Sequence, residues 1–410
     1  MDGAIDGVDA ATDGNPTGDG GVETPDASLG LTGWVALGAP LPTTASFLSP
    51  AMTTDGAGMP LVAFLTGTDA ASYGVEVYRV VGGAWTQVGA RIPMGIATVP
   101  DVAASGTEIH VAWPQGDRRH LRTWNGTSWS TPAGSPVGTY DTFLPHVSLA
   151  VDAGGRPWIA YNEHSASSSS QRVFVNAHDG GAFPPRGFTG YANALYDPAS
   201  PNQSALAPDL AAGGGAMFVA WEGNGVHVRR WDAGSASWTA TGAGKVEPPA
   251  GAGVTSASTS AIAVDGAGRP TVVYHAYKGG ADGTNVFVAR HDGTSWVHLG
   301  QNVQAYAGMA SGSATYATAQ DVAVTVAGDV FIAFTEEDAA GHAAVHVWRC
   351  ATSGCAPVGR GRLDADAGEA STAKMAIDHA GRPIVAWAEA TASGAYRLHV
   401  WRYFGDPDAP

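Results

Sequence analysis

What this chain lacks bounds it first. No stretch approaches the roughly 18 consecutive apolar residues of a membrane-spanning helix. No amphipathic helical run of useful length occurs either, which leaves β-structure to carry the fold. Charged residues make up only 14%, and they are unbalanced: 37 acidic against 21 basic, a formal net charge of −16. The few basic residues are dispersed, which argues against a nucleic-acid backbone or an anionic membrane surface as partner. The acidity is read as serving solubility. There is no G-x-S-x-G elbow, no H-E-x-x-H and no C-x-x-C pair, and GAGKVE (242–247) does not complete a phosphate loop. Cysteine occurs only twice, as Cys350 and Cys355.

What the chain has is repetition. Residues 261–300 read AIAVDGAGRPTVVYHAYKGGADGTNVFVARHDGTSWVHLG. Runs of β-branched and aromatic residues are separated by Asp-Gly-containing turns, which accept the positive φ that tight turns need. The stretch predicts four antiparallel strands, a unit that buries its faces only by stacking on copies of itself. The copies run the length of the chain. The aromatic that closes the second strand recurs as Phe64, Trp113, Tyr161, Trp221, Tyr274, Phe334 and Trp387, at intervals of 48 to 60 residues. A fourth strand of W-x-x-x-G form recurs as WTQVG, WSTPAG, WTATG, WVHLG and, with Cys for Trp, CAPVG (355–359). It is degraded around Phe183. The last unit lacks its fourth strand, and the matching piece, Trp34 to Gly38, lies at the other end of the chain. The expectation is an all-β, seven-bladed β-propeller of four-stranded blades closed by that N-terminal strand, with six blades as the alternative. It forms one domain over 31–410, after an acidic tail over 1–30.

The D-x-x-G-[RM]-P turn and the W-x-x-x-G strand together resemble the exported bacterial β-propeller repeat proteins, over about residues 31–404. HDGTSW (291–296) weakly resembles the Asp box of sialidase-type propellers, but lacks its leading Ser, and sialidase activity is not carried over. The tail carries seven carboxylates and no Lys or Arg. Such a composition does not order itself. It has neither the n-region nor the h-region of a signal peptide, and it resembles the linkers that follow the lipidated Cys of exported lipoproteins. The expectation is an exported protein of the cell surface, outer membrane or periplasm. Any membrane tether would be a lipid anchor encoded upstream of Met1. Cys350 and Cys355 flank a predicted hairpin turn, and a disulfide between them fits an oxidising compartment.

Several columns of chemically active residues invite a functional reading. His120, His227, His346 and His399 fall in one column of the third strand. Each belongs to a different blade, so they do not converge on a metal and read as packed strand residues. Arg79, Arg230, Arg290, Arg349 and Arg402 form a second column. Asp55, Asp152, Asp265 and Asp378 lie on the same face, with Arg156, Arg269 and Arg382 in the turns; these predict Asp–Arg turn locks. Asp101, Asp209, Asp321 and Lys374 share a column on the innermost strand. They are predicted to form an axial polar rim, with a cation such as calcium as the alternative occupant of the carboxylates.

The loops between blades are long and unequal on one face and tight on the other, which marks the long-loop face as the place for function. The candidate ligand residues there are Tyr140, Glu163, His164, Tyr191, Tyr196, Tyr277, Tyr306, Tyr316, Glu336 and Glu389. Tyrosine rings and carboxylates together suit sugars. The leading expectation is a monomeric, non-enzymatic binding protein for a glycan or protein partner. The alternative is a polysaccharide-active enzyme, a glycoside hydrolase or lyase, using acidic residues near the axis.

Overall fold

The computed structural model describes residues 33–405, apart from 43–48, 96–97, 139–145, 165–169, 189–193, 251, 255, 278–283, 304–317, 338–341, 361, 364–369 and 392–395. Every regular element is a strand, and the strands form seven antiparallel sheets in a ring, a seven-bladed β-propeller. The innermost strands, in blade order, are Ala51–Thr54, Asp101–Ser105, Ser148–Val151, Leu206–Gly213, Ser256–Val264, Thr318–Val324 and Ala370–Ile377. Blade 5 is the pattern for the rest: Ser256–Val264, Pro270–Tyr277, Thr284–His291 and Trp296–Val303. Blade 3 keeps only three regular strands. Its outer edge is covered by isolated bridges at Val173–Leu195 and Asn176–Pro185, the place where the sequence motif decays.

The ring closes as the repeat pattern predicts. Trp34–Ala36 pairs with the last strand, Trp34 opposite Tyr403 and Ala36 opposite Trp401. This joins the two ends of the chain in blade 7 and leaves no open inner edge.

The W-x-x-x-G strand works as a latch between blades. The indole Nε1 of Trp129 donates to the Val88 carbonyl at 3.0 Å, Trp238 to Arg186 at 2.9 Å, Trp296 to Thr241 at 3.2 Å and Trp34 to Val358 at 2.8 Å. Each acceptor immediately precedes the glycine at the W-x-x-x-G position of the previous blade. The ring then rests on that glycine: a Cβ at Gly187 would lie 2.8 Å from Trp238, and one at Gly359 would lie 3.2 Å from Trp34. One motif thus explains both of its ends, since the Trp needs a neighbour without a side chain.

Within blades, the aromatic column stacks on the third strand. Trp113 stacks on His120 at 5.6 Å, Trp221 on His227 at 5.3 Å, Phe334 on His346 at 5.2 Å and Trp387 on His399 at 5.2 Å. The histidines are packing partners held one per blade. The tight-turn face is built from Asp locks. Asp265 accepts from the Ala267 and Arg269 amides at 3.0 and 2.9 Å and from Arg269 Nε at 2.7 Å. Asp152 and Asp378 repeat the arrangement with Arg156 and Arg382. Cys350 and Cys355 face each other across a hairpin and are joined as a disulfide.

Candidate functional site

The innermost strands carry one residue each at the level where they crowd the axis: Ala51, Asp101, Ser148, Asp209, Ala261, Asp321 and Lys374, opposite Ala63, Ala112, Ala160, Ala220, Val273, Ala333 and Ala386. The three aspartates are held in the same way. One oxygen accepts from the next residue's own amide: Asp101 from Val102 at 2.8 Å, Asp209 from Leu210 at 3.1 Å and Asp321 from Val322 at 2.9 Å. The other oxygen accepts from the following blade: Asp101 from Leu149 at 2.6 Å, Asp209 from Ile262 at 2.8 Å and Asp321 from Met375 at 2.7 Å. Each carboxylate therefore pins two neighbouring blades at the axis. Ser148 adds a further link, donating to Asp209 at 2.8 Å and accepting from the Leu210 amide at 3.0 Å.

These side chains line an axial pocket of about 360 Å³, together with Lys374 and His146. A volume of that order holds a small-molecule or sugar-unit ligand. The electrostatics are set by one ammonium among three carboxylates. Burial raises Asp101 to about 7, with Lys374 opposing and Asp209 adding to the shift. Burial likewise raises Asp209 and Asp321, again against the pull of Lys374. Burial works to discharge Lys374, but Asp321, Asp209 and Asp101 outweigh it and hold its pKa above the usual lysine value. Burial lowers His146 to about 4, assisted by the Lys374 and Arg119 charges, and its Nδ1 has no hydrogen-bond partner among the described residues. The pocket thus holds a carboxyl that keeps its proton close to neutrality and an imidazole that stays unprotonated. The metal alternative needs carboxylates converging on one ion. Among the described residues no group of three or more His, Cys, Asp or Glu is so arranged. Lys374 supplies the positive charge in their midst.

The ten candidate face residues are placed differently. Tyr140, Tyr191, Tyr306 and Tyr316 lie outside the described residues. Tyr277 is exposed, and His164 is half-buried where its strand ends. Tyr196 is half-buried beneath the Arg172 guanidinium, 4.2 Å from its ring centre. Glu163, Glu336 and Glu389 are all fully or almost fully buried. Glu163 pairs with Arg119 at 2.8 Å, and Glu389 accepts from Trp387 Nε1 at 3.2 Å. They occupy one column, two residues beyond the blade aromatic. Gln115 does the same service there for Trp113 at 3.3 Å. Where Gly223 takes that position, the Trp221 Nε1 is left without a partner among the described residues. That column belongs to blade packing. Sequence reasoning found the axial Asp/Lys column but not His146 or Ser148. His146 precedes the first strand of its blade and matches no residue in the other units, so repetition carried no signal for it.

No family model and no curated protein matches the sequence. Among solved structures, the chain is similar in fold to a PL25 ulvan lyase bound to -[GlcA(1-4)Rha3S]-, with 13% identity over 90% of this chain and 94% of that one and a TM-score of 0.56. It is also similar to the polysaccharide lyase Uly1, with 10% identity over 86% and 88% and a TM-score of 0.50. A Trypanosoma rangeli sialidase aligns at 13% identity over 90% of this chain and 58% of its own, with a TM-score of 0.44. At such identities the likeness establishes a shared fold. It also corrects the leading expectation of a non-enzymatic binding protein, because the two neighbours matched over nearly their whole length are polysaccharide-cleaving enzymes. The non-enzymatic expectation rests on the tyrosines and carboxylates of the long-loop face, which suit a bound sugar whether or not it is cleaved. A ring assembles its site from strands far apart in sequence, so the absence of a contiguous catalytic motif carries little weight.

Proposed function

We propose that the protein is a carbohydrate-active enzyme that cleaves a polysaccharide at the axial pocket, with Asp101 and His146 as its acid and base. The observation that carries this reading is that Asp101 and His146 line one axial pocket with Lys374, where burial raises the first to about 7 and lowers the second to about 4. Neighbouring groups pushed in opposite directions are the signature of an acid–base pair. The full-length fold likeness to two polysaccharide lyases supports the substrate class.

Elimination is the chemistry the pair suits. His146 takes the proton from the sugar carbon next to a carboxylate. The released electron pair forms a carbon–carbon double bond as the glycosidic C–O bond breaks. Asp101 gives its proton to the departing oxygen, and no water is consumed. Lys374 tempers Asp101, keeping its proton transferable. Hydrolysis would need a second carboxylate as base or nucleophile. Asp209 is the more heavily engaged of the two, since its oxygens accept from the Ser148 hydroxyl as well as from the Leu210 and Ile262 amides, whereas Asp101 accepts from two amides alone. Export to the cell surface or periplasm, where polysaccharide is met, belongs to the same proposal.

The test is a panel of uronate-containing polysaccharides assayed for the ultraviolet absorbance of an unsaturated product and for new reducing ends. Elimination raises both, whereas hydrolysis raises reducing ends alone. Asp101→Asn and His146→Ala should each reduce the rate by at least 100-fold. Full activity in both variants would reject the assignment.

A further inference from the structure

The axial ring has an odd member. Each innermost strand is the edge of its blade, so the amide that follows the axial residue turns away from the sheet and into the pocket. The three aspartates take six of these amides, two each: Val102 and Leu149, Leu210 and Ile262, Val322 and Met375. Seven blades leave one over, and it is Met52 in blade 1. Met52 stands opposite Val62 just as Val102 stands opposite Val111 and Met375 opposite Val385, so its N–H faces the axis as theirs do. The axial residue of its own blade is Ala51, which offers no side-chain oxygen. The preceding blade offers Lys374, itself a donor. Among the described residues the Met52 amide meets no side-chain acceptor.

Lys374 is the second donor without a close acceptor. It lines the same pocket as Met52, from the neighbouring blade. The charges of all three aspartates reach it, yet among the described residues its ammonium makes no hydrogen bond and no ion pair at contact distance. An ammonium and a backbone N–H facing one cavity supply what a carboxylate needs, two donors and a compensating charge. A fourth axial aspartate would fill that place. This chain carries none there, so the place is open to a carboxylate from outside.

We infer that Lys374 and the Met52 amide form the seat for the carboxylate of a uronate sugar unit, which enters the ring as its fourth carboxylate. The inference rests on the reading above for its ligand class, and it deepens that reading. His146 takes a proton from the carbon next to this carboxylate. The charge that builds on the carboxylate as the proton leaves then meets donors already in place. Lys374 thus contacts the substrate as well as tempering Asp101. A neutral hexose unit would leave both donors unanswered, which selects against it.

The experiment is isothermal titration calorimetry of the native protein at low ionic strength, at a pH one unit below the value of about 7 at which Asp101 loses its proton. The probes are glucuronate and galacturonate, monosaccharides with no linkage to cleave. Glucose and galactose, with a hydroxymethyl group in place of the carboxylate, are the controls. At least one uronate should bind, and its neutral counterpart at least about tenfold more weakly. Lys374→Met should weaken the uronate by a similar factor. Ala51→Asp should do the same with no fall in melting temperature, because the new carboxylate takes the Met52 amide as Asp101 takes that of Val102. Met52→Pro removes an N–H that is turned away from the strand ladder, and should weaken binding where Met52→Leu does not. No binding of either uronate, equal binding of the neutral sugars, or unchanged affinity in either Lys374→Met or Ala51→Asp would overturn the inference. Uronate binding that depends on Lys374, in a protein that cleaves no polysaccharide, would remove the elimination and leave the seat standing. Cleavage by a protein whose uronate affinity ignores Lys374 would do the reverse.

Discussion

The Cys355 sulfur sits against Gly300, where a Cβ on that glycine would strike it. Six other glycines hold the same position in the ring, and in five of them the neighbour is a tryptophan: Gly38 meets Trp85, Gly89 meets Trp129, Gly187 meets Trp238, Gly242 meets Trp296 and Gly359 meets Trp34. The disulfide therefore replaces an indole latch with a covalent clip on the hairpin that lost its Trp. Reduction should lower the stability of blade 6. For so short a loop the constraint on the unfolded chain is worth about 2 kcal/mol. Calorimetry with and without reductant should show a lower melting temperature in the reduced protein. Cys350→His with Cys355→Trp, which copies the His291–Trp296 pair of blade 5, should make the melt insensitive to reductant.

Ring closure depends on Gly359 in a different way. Its φ is +61°, and its missing side chain makes room for Trp34 and Tyr403. Gly359→Ala should cost roughly 1–2 kcal/mol for the left-handed backbone alone, plus the displacement of Trp34. Gly126, at φ +98° with open space around it, provides the comparison. Chemical denaturation should find Gly359→Ala the more damaging of the two. Equal losses would mean that the Trp34 contact contributes nothing to closure.

The difference between those two glycines also marks what a sequence makes legible here. The blade count, the closure by Trp34 and the axial Asp/Lys column were all readable, because packing constraints repeat in every blade and repetition exposes them. Glu163, Glu336 and Glu389 repeat for the same reason. They stand out as acidic, yet their shared position beyond the aromatic gives them a buried packing site. His146 recurs nowhere, and only the fold brings it to Lys374 and Asp101. Chemistry sits where the repeat is broken, and a broken repeat looks like noise until the strands are placed.

Two buried groups should give stability opposite pH dependences. His110 is lowered to about 4 by burial, with His178 adding to the shift. The unfolded chain takes up that proton first, so stability is lost as pH falls from about 6.5 to about 4 and levels off below. Asp101 is raised to about 7, so the folded protein binds the extra proton. Its contribution is present below about 4 and is lost as pH rises to about 7. Each is worth on the order of 3 kcal/mol. Urea melts across pH 4 to 8 should find that Asp101→Asn gains on the wild type with rising pH, and that His110→Gln, which retains a partner for Thr123, gains on it with falling pH. Parallel curves for Asp101→Asn and wild type would mean that Asp101 titrates normally.

The same axial charges make a prediction for rate. If Asp101 donates and His146 accepts, activity needs the first protonated and the second neutral. The rate should therefore form a plateau between about 4, where His146 loses its proton, and about 7, where Asp101 loses its own. Lys374 lowers Asp101 and also lowers His146. Lys374→Met should consequently move both limbs of the profile to higher pH, whatever it does to the maximal rate. A simple loss of structure would lower the rate at every pH and leave the limbs in place. A profile whose alkaline limb stays fixed in Lys374→Met would remove Asp101 from the role of acid, because no other charge in the pocket opposes its rise.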